Sequence, residues 1–162
     1  MIDLGPAEKF RADAHGEPGE RIFYFHATAN GVEFFFVAEK QQVAALGELS
    51  LQFLNETNVA ADMEAVHRLS ATLSEPLEIS EPHFRVGGLR IALQASEMVR
   101  LELESVDSDD EEVTFLVAPE QLRAAAQHAL YVVSNGRPIC GSCGLVKEPE
   151  GHFCPRDDGH LN

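Results

Sequence analysis

Two aromatic-rich segments joined by Asn30-Gly31 restrict the fold of this chain more than any other feature. The segments are residues 21–29 (RIFYFHATA) and 32–38 (VEFFFVA), and both have the composition of β-strands. Asn-Gly favours the positive φ angles of a type I′ turn, which connects antiparallel strands tightly. The sequence therefore predicts a β-hairpin. Because both strands are so apolar, another element must cover at least one face of it.

Helices are predicted directly after this hairpin. Within residues 39–55, apolar positions recur at spacings of three and four, which places them on one helical face. Residues 56–73 are interpreted as a further helix, and Pro76 and Pro82 mark the connection that follows it. The apolar positions of the first helix are Val43, Leu46, Leu49 and Phe53.

The second half of the chain repeats the pattern of strands followed by a helix. Strands are predicted at residues 84–93, 98–106 and 113–117, and Pro119 opens a helix that ends near residue 134. The acidic run at 107–112 (DSDDEE) is interpreted as a solvated hairpin loop, since it lacks the ligand spacing of a calcium loop.

Strands grouped as hairpins, each group followed by a helix, are typical of an α+β fold. With a weaker strand at residues 9–14, the pattern predicts a largely antiparallel sheet packed by helices over residues 1–136. Residues 137–162 are predicted to form a separate C-terminal zinc knuckle.

The charge of the chain disfavours some partners and leaves others open. Twelve Lys and Arg stand against 27 Asp and Glu, a formal net charge of −15, so a nucleic acid or an anionic membrane would be repelled. No apolar run approaches the ~20 residues that span a bilayer. Residues 1–9 lack the pattern of a signal peptide. We therefore expect a cytoplasmic protein that binds neither nucleic acid nor membrane and for which a protein partner is possible.

The C-terminal tail, PICGSCGLVKEPEGHFCPRDDGHLN, concentrates all three cysteines of the chain. Cys140 and Cys143 form a C-x-x-C turn, and Cys154 follows with His152 two residues before it. Zinc takes four nitrogen or sulfur ligands in structural sites, and three cysteines with one histidine supply them. The tail has few large apolar residues, so the metal would contribute its folding energy. The sequence predicts one structural Zn²⁺.

Alternatives to this zinc site are weaker, although its fourth ligand stays open. His152 lies on the same side of an extended segment as Cys154, whereas His160, Asp157 or a water molecule could also complete the tetrahedron. A redox C-x-x-C usually opens a helix, and this one follows a predicted helix. A deaminase site would need an H-x-E on a helix, but His15 lies in a Gly/Pro-rich turn.

The chain resembles a family of uncharacterised bacterial proteins, frequent in actinobacteria, which share a conserved domain of nearly this length. The resemblance rests on several short motifs. In that family a tyrosine often stands at the position of His160, which favours His152 as the ligand. A proline usually precedes the first cysteine, where this chain has Ile139. The resemblance implies no activity. The motifs are Gly16–Arg21 (G-x-P-G-x-R), Phe84-Arg85-Val86-Gly87, Gly136-Arg137-Pro138, Cys140-x-x-Cys143-Gly144, Gly151-His152-x-Cys154-Pro155-Arg156 and Asp158-Gly159.

Two classes of function fit these observations. The first is a non-enzymatic adaptor whose zinc knuckle presents a surface to a partner protein. The second is a small-molecule binder or enzyme in which Arg21 and Arg85 converge in a pocket of the α+β domain, where they would suit a carboxylate or phosphate. His26 and Arg90 are further candidates because they lie on apolar strands. No catalytic residue or bound organic cofactor is predicted, and the adaptor is favoured.

Overall fold

The computed structural model describes residues 1–17 and 20–134, which form seven strands and three helices. The predicted zinc knuckle, residues 137–162, lies outside the described residues. In chain order the elements are β1 (Ile2–Pro6), β2 (Lys9–His15), β3 (Ile22–Ala29), β4 (Val32–Ala38), α1 (Lys40–Thr57), α2 (Met63–Leu73), β5 (Phe84–Leu93), β6 (Val99–Ser105), β7 (Glu112–Val117) and α3 (Pro119–Val133).

The predicted hairpin is confirmed. β3 and β4 pair antiparallel, and Ala29 faces Val32 at the end next to the turn. Asn30 and Gly31 have φ angles of 53° and 76°, so both adopt the left-handed conformation that a type I′ turn requires. The local sequence therefore determines the register of this pair.

All seven strands form one sheet in the order β1-β7-β6-β5-β4-β3-β2. Four of the six neighbouring pairs in the described chain are antiparallel, and β1/β7 and β4/β5 are parallel. The predicted α+β class is confirmed, together with the strands β5, β6 and β7 and the helix α3. The acidic run occupies the β6–β7 hairpin, as expected.

The two edges of this sheet meet at Ala7 and Glu8. In a flat seven-stranded sheet the edges would lie roughly 29 Å apart, but here only these two residues connect the edge strands β1 and β2. The Ala7 amide donates to the Leu116 carbonyl of β7 at 2.8 Å, and the Glu8 amide donates to the Thr28 carbonyl of β3 at 2.7 Å. β1 and β2 thus form one bent segment between β7 and β3. The sheet must therefore curl.

The helices α1 and α3 pack against the inner face of the curled sheet. Phe10 of β2 and Phe115 of β7 meet there with ring centroids 5.5 Å apart. Gly47 lies at the crossing of α1 and α3, where a Cβ atom would come within 2.8 Å of Leu130 Cγ. A glycine costs a helix interior about 1 kcal/mol relative to alanine. At this position it permits the close approach of the two helices.

The boundary between α1 and α2 differs from the prediction of a helix over residues 56–73. α1 continues to Thr57 and ends at Asn58, whose left-handed φ of 58° stops the helix. α2 begins only at Met63, after Asp62 caps it by accepting a hydrogen bond from the Glu64 amide. A residue in the left-handed region breaks the helix where the apolar pattern alone indicated continuity.

The predicted inner face of α1 is correct in its first half only. Val43 and Leu46 are fully buried, but Leu49 is 50% exposed and Phe53 only partly buried. The buried stripe continues through Ser50 and Leu54 instead. Helix α3 crosses α1 at Gly47, so the face that α1 buries turns toward α3 and away from Leu49.

Candidate functional site

The predicted metal ligands Cys140, Cys143, His152 and Cys154 all lie outside the described residues, as does the alternative His160. Within residues 1–17 and 20–134, no group of three or more His, Cys, Asp and Glu side chains is placed to hold a metal ion. The zinc site therefore stays a prediction.

The structure gives Arg21 and Arg85 separate partners. Arg21 Nη1 donates to the Val132 carbonyl at 2.8 Å, in the last turn of α3. Arg85 Nη1 lies 3.7 Å from Glu39 Oε1 at the start of α1, and both side chains are largely exposed. These contacts do not bring the two arginines together, so their common pocket stays a hypothesis.

The sheet arginines Arg85, Arg90 and Arg100 do not support a nucleic-acid surface, because each has an acidic partner. Arg85 faces Glu39, Arg90 pairs with Glu102 and Glu104 across β5 and β6, and Arg100 pairs with Glu102. The aromatic rings Phe25, Phe35 and Phe36 are at most 1% exposed, so bases cannot stack on them.

We therefore expect no useful binding of DNA or RNA at physiological salt. Each phosphate contact requires a free cation, and acidic partners occupy Arg85, Arg90 and Arg100, which leaves only scattered cations against a net charge of −15. A filter-binding titration with single- and double-stranded oligonucleotides at about 150 mM salt checks this. Saturable binding at micromolar or lower concentration would contradict it.

Arg11 of β2 links the sheet to the end of α2. Its side chain is 10% exposed, and its guanidinium donates to the Glu75 carbonyl at 2.9 Å and to the Thr72 carbonyl at 3.1 Å. The last carbonyls of a helix lack partners within the helix and carry partial negative charge, so a cation is favourable there. Arg11 Nη1 also donates to Asp13 Oδ2 at 3.3 Å.

Asp13 connects this cluster to α3. Its Oδ2 atom lies 3.0 Å from His128 Nε2, an ion-pair distance, although the ring nitrogen makes no aligned hydrogen bond. Its Oδ1 atom accepts a hydrogen bond from the Ala14 amide at 2.8 Å. Burial raises the pKa of the neighbouring Tyr24, and Asp13 raises it further, whereas Arg11 opposes this effect. Tyr24 is therefore a neutral phenol at physiological pH.

Two adjoining clefts border Arg11. The first cleft, of about 360 Å³, lies between β2, α2 and α3 and includes Lys9, His26 and Leu69. The second cleft, of about 560 Å³, includes Asp13, Tyr24 and His128. Arg11, Leu73 and residues 75–77 line both clefts. Volumes of this size are typical of small-molecule sites.

His26 faces the first cleft from β3, directly opposite Arg11 in the strand register. Its side chain is almost fully buried, and its ring lies 4.7 Å from that of Phe35. Burial lowers the pKa of His26; Glu33 opposes this effect, while Arg11 and Lys9 reinforce it. The imidazole is therefore uncharged at neutral pH.

Stability should fall on acidification because of His26. The folded pKa is lower than the unfolded value of about 6.5, so the unfolded chain binds more protons as the pH drops. Below that pH the free energy of unfolding should decrease by up to ~1.4 kcal/mol per pH unit from this group. Urea unfolding of wild type and His26→Leu between pH 7.5 and 5 measures this.

The variant should show a flatter pH dependence than wild type, whereas His67→Gln, which removes an exposed histidine of α2, should match wild type. Parallel curves for wild type and His26→Leu would refute the assignment.

The sequence alone did not identify Arg11, Asp13 or His128. Arg11 and Asp13 alternate with Phe10 and Ala12 along β2, which indicates that both lie on one face of a strand. That alternation does not reveal what covers the face. Nothing in the sequence near His128 indicates contact with β2.

None of the described helices has both the length and the apolar character needed to cross a bilayer.

Comparison with known proteins gives one positive finding. No curated protein and no solved structure gives a significant match. A family model matches residues 3–154, which includes the three cysteines and His152 but ends before His160. Because the match spans most of the chain, the protein belongs to the DUF3090 family, described as a protein of unknown function.

Proposed function

We propose that this chain is a non-enzymatic cytoplasmic adaptor. Its α+β domain, residues 1–136, serves as a scaffold, and its tail, residues 137–162, holds one structural Zn²⁺ and presents a surface to a partner protein. One observation carries the proposal. In the described domain, several long polar side chains donate hydrogen bonds to backbone carbonyls in distant parts of the chain.

These bonds hold the fold together. A catalytic site needs a nucleophile, a base or an oxyanion donor free to meet a substrate. A side chain that already donates to a distant carbonyl is not free in this sense. The bonds are Arg11 to Thr72 and Glu75, Arg21 to Val132, Gln42 to Val86, and Gln121 to Ala7.

Two observations support the zinc ion. Cys140, Cys143 and Cys154 have the spacing of a structural site, and three thiolates with one imidazole complete a tetrahedron. The family match covers residues 3–154, so these three cysteines and His152 all lie within it. His160 lies beyond the match, which favours His152 as the fourth ligand.

Purified protein should contain one zinc ion per chain, measured by elemental analysis against protein concentration. Cys140→Ser should lose most of the metal, because it removes one of four ligands, while the sheet and helices keep their circular dichroism. A metal-free protein with an ordered tail would overturn the assignment.

The two histidines provide a matched pair of variants. His152→Ala should lower zinc affinity about tenfold or more, whereas His160→Ala should leave it nearly unchanged. Competition with a chromophoric chelator measures both affinities. The opposite ranking would make His160 the ligand.

The adaptor role is tested by crosslinking and affinity capture from the source organism with wild type and Cys140→Ser in parallel. A protein captured by wild type alone, and then bound directly by the purified chain in a zinc-dependent way, supports the role. Partners that bind both forms equally would contradict the role of the tail.

A further inference from the structure

The first cleft carries an inference that is independent of the zinc tail and of the adaptor role. We propose that it binds a small carboxylic acid with an apolar aromatic or aliphatic body. The apolar part would lie between β2, α2 and α3, and the carboxylate would lie between Lys9 and His26.

The apolar part of the site comes from two helices and the connection that follows α2. Leu69 and Leu73 lie on α2, Ala124 on α3, and Leu77 on the connection between α2 and β5. The cleft of about 360 Å³ has room for one small ring or a short chain. Such lining favours an apolar body, because its transfer from water is favourable at roughly 25 cal/mol per Å².

The polar end of the site has one free cation. No acidic side chain among the described residues pairs with Lys9, which lies exposed on β2. Of the two acidic residues in the lining, Glu8 already accepts a hydrogen bond from the Gly31 amide at 2.8 Å. Glu75 and Lys9 are both exposed to solvent, which weakens both charges. Of the two cations in the lining, Lys9 and Arg11, Lys9 is the one that a ligand carboxylate can meet without displacing an existing partner.

His26 can add a hydrogen-bond donor next to Lys9 without adding a second positive charge. Its Nε2 atom lies 3.4 Å from Glu33 Oε1 and 3.5 Å from Thr28 Oγ1, both longer than the usual range for a hydrogen bond. Glu33 is 51% exposed, so its carboxylate can turn into solvent when a ligand oxygen at about 2.9 Å takes its place as the better partner of the ring. An uncharged imidazole and one ammonium together match one carboxylate.

The same groups disfavour other ligand classes. An amine would be repelled by Lys9 and by the neighbouring Arg11. A phosphate is best held by an arginine fork, and Arg11 already donates to Thr72, Glu75 and Asp13. An uncharged apolar molecule would leave Lys9 and His26 without new partners.

The test is a titration of the ¹⁵N-labelled full-length protein, followed by amide chemical shifts. The probes are benzoate, phenylacetate and hexanoate, with benzamide and benzylamine as the neutral and cationic counterparts of benzoate. At least one acid should shift signals of residues 9–11 and 69–77 in a saturable way. Benzamide should bind at least fivefold more weakly than benzoate, and benzylamine should not bind.

Two variants locate the interaction. Lys9→Met should weaken acid binding at least fivefold, whereas Lys40→Met, which removes an exposed cation from the start of α1, should not change it. Leu77→Trp should reduce binding by filling the cleft from a half-buried position. Shifts scattered over the surface, equal binding of benzamide, no binding of any acid, or full affinity in Lys9→Met would each overturn the proposal, and none of these outcomes would bear on the zinc tail.

Discussion

Arg11→Ala should lower the free energy of unfolding by about 3 kcal/mol, because removal of one partner of a largely buried ion pair leaves the charge of Asp13 without compensation. Asp13 would lose its guanidinium neighbour, and the Thr72 and Glu75 carbonyls would lose the donor that joins α2 to β2. Urea unfolding followed by far-ultraviolet circular dichroism measures the difference.

Arg90→Ala is the matched control. Its side chain is 68% exposed and pairs with Glu102 and Glu104 on the solvent face of the sheet. Exposed ion pairs contribute about 0–1 kcal/mol, so this variant should stay close to wild type. If both variants lost the same stability, Arg11 would not be the link between the sheet and α2.

Phe115→Ala should cost about 4 kcal/mol, the middle of the range for removal of a buried aromatic side chain. Phe115 is 1% exposed and packs on Phe10, next to the place where the two edges of the sheet meet. Its loss would leave a cavity bordered by β2, β7 and the helices. Denaturant unfolding gives the value, and Phe115→Leu should cost clearly less because it fills more of the space.

A double-mutant cycle isolates the contact between the two rings. Phe10→Ala, Phe115→Ala and the double variant should show a coupling of about 1 kcal/mol, as expected for a tilted aromatic pair. Additive losses would show that the rings are buried independently and that their contact does not stabilise the closure of the sheet.

The sequence predicts those elements that a few neighbouring residues determine, such as a turn dipeptide, an alternating strand or a proline at a helix start. Asn30-Gly31 determines the β3–β4 turn, alternation reveals β6, and Pro119 marks the start of α3. Asn58 shows the limit of this approach, since the apolar pattern runs past a residue that ends α1. No local signal indicates β1, because its five residues IDLGP contain a glycine and a proline and show no clear alternation.

The candidate site was harder to predict for a different reason. Arg11 bonds to carbonyls 61 and 64 residues away in the chain, and Asp13 reaches α3 from β2. No periodicity in one segment encodes a contact between segments so distant. The sequence restricts the expected function classes through charge and the clustered cysteines, but the position of the clefts requires the fold.

The bent segment β1–β2 has a consequence for how this protein is made. Ile2 leaves the ribosome more than a hundred residues before its partner Val113, which belongs to the last strand of the described chain. Until β7 has been synthesised, the nascent sheet has an unpaired strand at both edges. Exposed edge strands can pair with other chains and so lead to aggregation. Closing so large a loop also slows folding. We expect the sheet to complete itself only after nearly the whole domain has been synthesised, so chains truncated before β7 should aggregate.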